Sequence, residues 1–202
     1  MSPTPRTWRQ IARRDLATLA IHWTRTRPAV DDFLGEEPQP ARDAADILDD
    51  ILRESRLLGG TGHIRGGHTC VCFTEAPLAE MASMFAIAAV AEDTGALRYE
   101  PFGVGVSKQW LFESGGRPAI YQSDAEYEQL PVNFRWRHCR YEPPDIDFTW
   151  EREWRIPADE LALDPDQTWI FVPTEEIARD LAGQRPGWRI APLELFGLPG
   201  VV

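Results

Sequence analysis

The sequence predicts an α+β fold built as a single domain over residues 1–202. Three observations lead there: helical and strand-like apolar spacings alternate along the chain, strand-like runs concentrate in its last third, and 43% of residues are hydrophobic, with 8 Trp, 9 Phe and 4 Tyr among them. Rings in that number carry enough apolar area for a substantial core, and they exclude disorder throughout.

The elements follow in order. Trp8, Ile11, Ala12, Leu16 and Leu19 recur at helical spacing and predict a helix over 8–19. It leads into an apolar run, Leu19 to Thr24, that reads as a strand. Pro28, Gly35, Pro38 and Pro40 lie among acids and make 28–40 a loop able to cover a cleft. Ile47, Leu48, Ile51 and Leu52 put an apolar stripe on a helix over 44–58, which Gly59 and Gly60 stop. Five glycines within 59–67 form a loop feeding a strand over 69–74, a kind of place where ligands meet backbone.

Pro77 suits the first turn of a buried helix to about Ala91, ended by Gly95. A strand over 102–106 follows. Ser107 is placed to cap a short helix over 108–114, and 118–121 is a further strand. In the last third, 133–141, 147–156, 169–172 and 188–196 read as strands. A helix over 175–182, capped by Thr174 and stopped by Gly183, separates the last two.

Composition narrows the function. A net charge of -11 and a pI near 4.8 repel phosphate backbones and anionic membranes. The local basic stretch Arg135, Arg137, His138 and Arg140, with alternate arginines on one strand face, is where a nucleic acid would dock. The N-terminal segment lacks the apolar core of a signal peptide, and the most apolar helix candidate, over 78–90, is too short to cross a bilayer. No membrane association is expected. Cys70, Cys72 and Cys139 are odd in number and nothing completes a metal set around them. Reduced thiols place the chain in the cytoplasm.

Two segments carry candidate chemistry. Successive side chains of a strand point to opposite faces, so over 147–156 Phe148, Trp150, Arg152, Trp154 and Ile156 form one row and Asp147, Thr149, Glu151, Glu153 and Arg155 the other. The second row sets two carboxylates and a guanidinium side by side, which is costly to bury without purpose. The tryptophans of the first row mark an interior strand, whose polar face then lines a cavity. Earlier in the chain, His22 and Thr24 share the face opposite Trp23 and offer a small donor and acceptor pair suited to a ribose or an amide. Thr74-Glu75 reads as a helix-capping turn.

With these pieces in order the chain resembles the ADP-ribosyltransferase superfamily, in the branch of the DarT-type DNA ADP-ribosyltransferase toxins and the AbiGi-type phage-resistance proteins. Cys72-Phe73-Thr74-Glu75, Phe102-Gly103-Val104-Gly105-Val106-Ser107-Lys108 and Glu151-Arg152-Glu153-Trp154-Arg155 carry the likeness. Such a resemblance implies a mixed, split β-sheet core with flanking helices, and NAD as substrate with no metal. His22-Trp23-Thr24 resembles the His-x-Thr that grips the nicotinamide side of NAD, Glu153 the late catalytic glutamate, and Arg65 the NAD-contacting arginine. The implied acceptor is a nucleic acid, a protein side chain or water, and the implied setting is a phage-defence or toxin-antitoxin system with a cognate toxin or antitoxin. The alternative on the same fold is a non-catalytic, antitoxin-like binding module whose acidic surface engages a basic partner. A metal-dependent nuclease would have only Asp147 and Glu151 to work with.

Overall fold

The structure is a computed structural model that describes residues 17–27, 40–62, 64–90 and 99–197. Most of the helix expected over 8–19, most of the loop over 28–40 and the helix stop at Gly95 lie outside these. In chain order the elements are β1 (Leu19–Trp23), α1 (Ala44–Glu54), β2 (Arg56–Leu58), β3 (Cys70–Thr74), α2 (Leu78–Val90), β4 (Gly103–Ser107), α3 (Lys108–Glu113), β5 (Arg117–Pro118), β6 (Ile120–Gln122), β7 (His138–Arg140), β8 (Glu153–Pro157), β9 (Glu160–Ala162), β10 (Thr168–Val172), α4 (Glu175–Gln184) and β11 (Arg189–Pro192). Among the described residues no helix is long and apolar enough to cross a membrane.

The fold is α+β. A mixed seven-stranded sheet runs in the order β11-β10-β4-β1-β3-β8-β5, and β2-β9 and β6-β7 form two small sheets beside it. Residues paired across strands share a face, so the register sorts the sheet into two surfaces. One carries Ala20, Val71, Phe73, Val104, Val106 and Ile170, and packs against Leu48 and Leu52 of α1 and Ala178 of α4. The other carries Ile21, Trp23 and Phe171 and packs against Met81, Ala82 and Phe85 of α2. That second surface needs glycine on β4: a Cβ at Gly103 would lie 2.5 Å from the Trp23 ring, and one at Gly105 would lie 2.7 Å from the Phe171 ring.

The sheet is nearly divided in the middle. β1 pairs with β4 from Leu19↔Ser107 to Trp23↔Gly103, and β3 pairs with β8 from Cys70↔Pro157 to Thr74↔Glu153, but β1 and β3 meet only at Ile21↔Thr74. Beyond that pair the strands part. The Cys72 carbonyl, which a ladder would have satisfied, accepts instead from His22 Nδ1 at 2.8 Å.

Several elements differ from the sequence expectation. The helix over 44–58 ends at Glu54, because Ser55 turns left-handed (φ 51°) and Arg56–Leu58 joins β9 as a strand. The strand over 133–141 is a 3-10 helix, Val132–Arg137, followed by β7. The strand over 147–156 is a 3-10 helix, Thr149–Glu151, then Arg152 at φ 47°, then β8. In both cases tertiary partners take the backbone groups: Arg155 donates to the Trp136 and His138 carbonyls, while Thr74 Oγ1 and the Glu75 N–H donate to the Glu151 carbonyl. The run over 118–121 divides between β5 and β6, and 188–196 ends in a 3-10 turn, Leu193–Phe196. Local signals held elsewhere. Ser107 Oγ accepts from the Trp110 N–H at 3.1 Å to cap α3, and Thr174 Oγ1 accepts from the Ile177 N–H at 3.3 Å to cap α4.

Candidate functional site

Where β1 and β3 part, a cavity of about 740 Å³ opens, within the range that holds small-molecule ligands. His22, Thr24, Arg65, Glu151 and Glu153 all line it. A chamber of about 70 Å³ adjoins it, bounded by His22, Trp23, Tyr99, Glu151 and Glu153. The strand alternation expected to aim both glutamates one way is absent. The Arg152 turn, and the clamp on Glu151 that precedes it, bring them to the same cavity instead.

The β8 bank is charged. Arg155 donates from Nε and Nη2 to the two carboxylate oxygens of Glu153, each at 2.9 Å, and from Nη1 to the carbonyls of Trp136 at 3.1 Å and His138 at 2.6 Å. Arg155 is 2% exposed. Burial alone would weaken its hold on its proton, but the bonds to Glu153 outweigh this and raise its pKa above the ordinary guanidinium value. The Glu153 N–H donates to the Tyr121 hydroxyl at 2.8 Å. Glu151 is buried and accepts from the Tyr99 hydroxyl at 3.1 Å. Burial, followed by the charge of Glu151, pushes the Tyr99 phenol well up.

Thr74 and Glu75 do more than cap a helix. Glu75 accepts from Lys108 Nζ at 2.6 Å and from the Trp154 indole at 2.7 Å, while its own N–H holds the Glu151 carbonyl at 3.1 Å. The exit of β3 thus fixes the turn between the two glutamates. Tyr99, Tyr121 and this clamp escaped sequence reasoning, since each acts through a partner distant in the chain.

The β1 bank is neutral. Burial lowers the pKa of His22; the Cys72 carbonyl opposes the shift and the charge of Arg27 adds to it. A carbonyl only accepts, so Nδ1 carries the proton and Nε2 keeps a lone pair. Thr24 is buried, and its hydroxyl donates to the Ala44 and Phe102 carbonyls, each at 3.0 Å. Toward a ligand Thr24 can therefore act only as an acceptor, not as the donor and acceptor that its position in the sequence suggests. Gly60, Gly62 and Arg65 of the glycine-rich loop border the same cavity. Arg65 pairs with Asp124 at 2.8 Å and lies 4.7 Å over the Tyr127 ring.

Cys70, Cys72 and Cys139 also line the cavity as free thiols. Burial, and then the charge of Glu153, pushes Cys139 up to about 12, and burial raises Cys70 and Cys72 as well, which disfavours the thiolate at all three. Among the described residues no group of three or more His, Cys, Asp or Glu could hold a metal ion.

The basic stretch is not the one-faced strand row expected. Arg135 and Arg137 sit on the 3-10 helix, where Arg135 pairs with Glu128 at 2.7 Å and Arg137 donates to the Pro118 carbonyl at 2.9 Å. His138 is buried, and Arg140 pairs with Glu142.

No protein-family model matches the chain, and no curated protein matches it. Among solved structures it is similar to DarT of Thermus sp. 2.9 in complex with NAD+, at a TM-score of 0.44 and 15% identity, covering 89% of this chain and 96% of that one.

Proposed function

We propose that the chain is an NAD-dependent ADP-ribosyltransferase-like protein of a phage-defence or toxin-antitoxin system, acting in the cytoplasm. The observation that carries this reading is the convergence of His22, Thr24, Arg65, Glu151 and Glu153 on one cavity at the parting of β1 and β3. Cleaving the bond between nicotinamide and ribose places positive charge on the ribose, and a fixed carboxylate beside it stabilises that charge without having to reorganise. Glu153 takes this role, held in place by Arg155. The Nε2 lone pair of His22 and the lone pairs of Thr24 accept from ribose or amide groups. Arg65 meets the pyrophosphate from the loop. Glu151, with Tyr99 on its carboxylate, orients or deprotonates the acceptor, which is a nucleic acid, a protein or water.

One observation favours the non-catalytic, antitoxin-like alternative: both oxygens of Glu153 already accept from Arg155, as they would in a purely structural ion pair. Incubation of the purified protein with NAD separates the two. Nicotinamide release by wild type, lowered at least about 100-fold in Glu153→Gln, is the expected result, since losing one such contact costs about 3 kcal/mol in the barrier. Equal release by both proteins would remove Glu153 from the chemistry, and no release by wild type would leave the binding module.

A further inference from the structure

The arginines around the cavity are not equally committed. Arg65 is paired with Asp124, Arg140 with Glu142 and Asp124, and Arg155 with Glu153. Arg25 and Arg27, on the chain just past β1, line the same cavity and have no carboxylate partner among the described residues.

Both side chains are exposed, yet the backbone beneath them is pinned. The Thr26 N–H donates to Glu100 Oε1 at 2.6 Å, and Arg27 exchanges backbone hydrogen bonds with Arg42 at 2.8 and 2.9 Å. Glu100, the acid bonded to this segment, is thus engaged with the backbone, and the charge of the neighbouring Arg42 is taken by Asp50. In a chain of net charge -11, two guanidinium groups on a pinned cavity rim, with no carboxylate partner among the described residues, are matched to an anionic ligand.

We propose that Arg25 and Arg27 form the subsite for the phosphate groups of a nucleotide ligand, a step that rests on reading the cavity as an NAD site. Planar guanidinium forks bind phosphate oxygens in pairs. Arg65 must release Asp124 before it can do the same, whereas Arg25 and Arg27 break no ion pair with any described residue. The pair therefore contributes more to phosphate binding than Arg65, which acts as a secondary contact on the glycine-rich loop.

Titration calorimetry with NAD and with inorganic pyrophosphate, on wild type, Arg25→Gln, Arg27→Gln, Arg27→Lys and Arg65→Gln, tests this. Arg25→Gln and Arg27→Gln are each expected to weaken both ligands by at least about tenfold, the size of one charge-assisted contact, with unchanged melting temperatures because the side chains are exposed. Arg27→Lys should recover part of the loss, and Arg65→Gln should cost less than either. Wild-type affinity in both Arg25→Gln and Arg27→Gln, no pyrophosphate binding by wild type, or a larger loss in Arg65→Gln overturns the subsite. If pyrophosphate binding depends on Arg27 but no nicotinamide is released, the subsite stands and the NAD-cleavage reading falls. If Arg27→Gln releases nicotinamide with a wild-type KM, the cleavage reading stands and the subsite falls.

Discussion

The two halves of one sheet face are built on opposite terms. On β1, β4 and β10 that face presents Ile21, Trp23 and Phe171, sealed beneath α2, with Gly103 and Gly105 leaving room for the rings. One strand further on, the same face presents Thr74, Cys72, Glu153 and Arg155, and it lines a cavity. A helix brings an apolar stripe, which seals an apolar row but leaves buried charges without partners. The cavity opens where the row changes character, and the residues past that point satisfy one another.

The sharpest way to break this contrast is on the charged half. Arg155→Ala leaves the half-buried Glu153 without its partner and the Trp136 and His138 carbonyls without this donor, so a loss of about 3–5 kcal/mol in denaturant unfolding is expected. Replacing both members, Glu153→Leu with Arg155→Met, should recover the part of that stability lost to the unpaired carboxylate, though not the part lost at the two carbonyls, while abolishing any NAD turnover. A double variant as unstable as Arg155→Ala would show that the ion pair is not the source of the cost. On the sealed half, Gly103→Ala drives a methyl group into the Trp23 ring, and thermal unfolding should register about 1–3 kcal/mol.

A smaller effect is expected at the clamp between the halves. Thr74→Val removes one of the two donors to the Glu151 carbonyl and the acceptor of the Ala76 N–H, and should cost about 1–3 kcal/mol, the penalty of a buried N–H left unpaired. Glu75→Gln keeps the shape and tests the bond to Lys108. The gentlest probe is pH. The pKa of His22 is depressed in the folded state, so the unfolded chain binds its proton first as pH falls. Its contribution is complete above the ordinary histidine value of about 6.5 and is lost as pH drops below it. His22→Gln should flatten that part of the stability profile, and an unchanged slope between wild type and variant would exclude His22 as its source.

What could be read from the sequence was mostly what is local. The stripe of α1, the serine cap of α3 and the threonine cap of α4 involve residues within one or two turns, and the structure reproduces them. Where the chain defers to distant partners, period-two alternation misled. Over 132–137 and 149–151 it predicts strands, but Arg155 and the Thr74-Glu75 clamp take the backbone groups that a ladder would use. The grouping of Glu151 with Glu153 at one cavity was legible, although for a reason that does not hold. The ion pair of Arg65, and the use of the Thr24 hydroxyl on two carbonyls, were not legible, because nothing nearby in sequence announces them.

The single residue pair joining β1 to β3 divides the sheet into two hydrogen-bonded ladders, β11-β10-β4-β1 and β3-β8-β5, riveted by Ile21↔Thr74 and by one imidazole. The rivet and the ligand contact are the same ring, since Nδ1 of His22 holds the second ladder while its other nitrogen remains for whatever enters the cavity. A molecule bonded to that nitrogen is expected to tighten the join between the two ladders. Occupancy should be readable far from the cavity, as slower amide hydrogen exchange along β3 and β8.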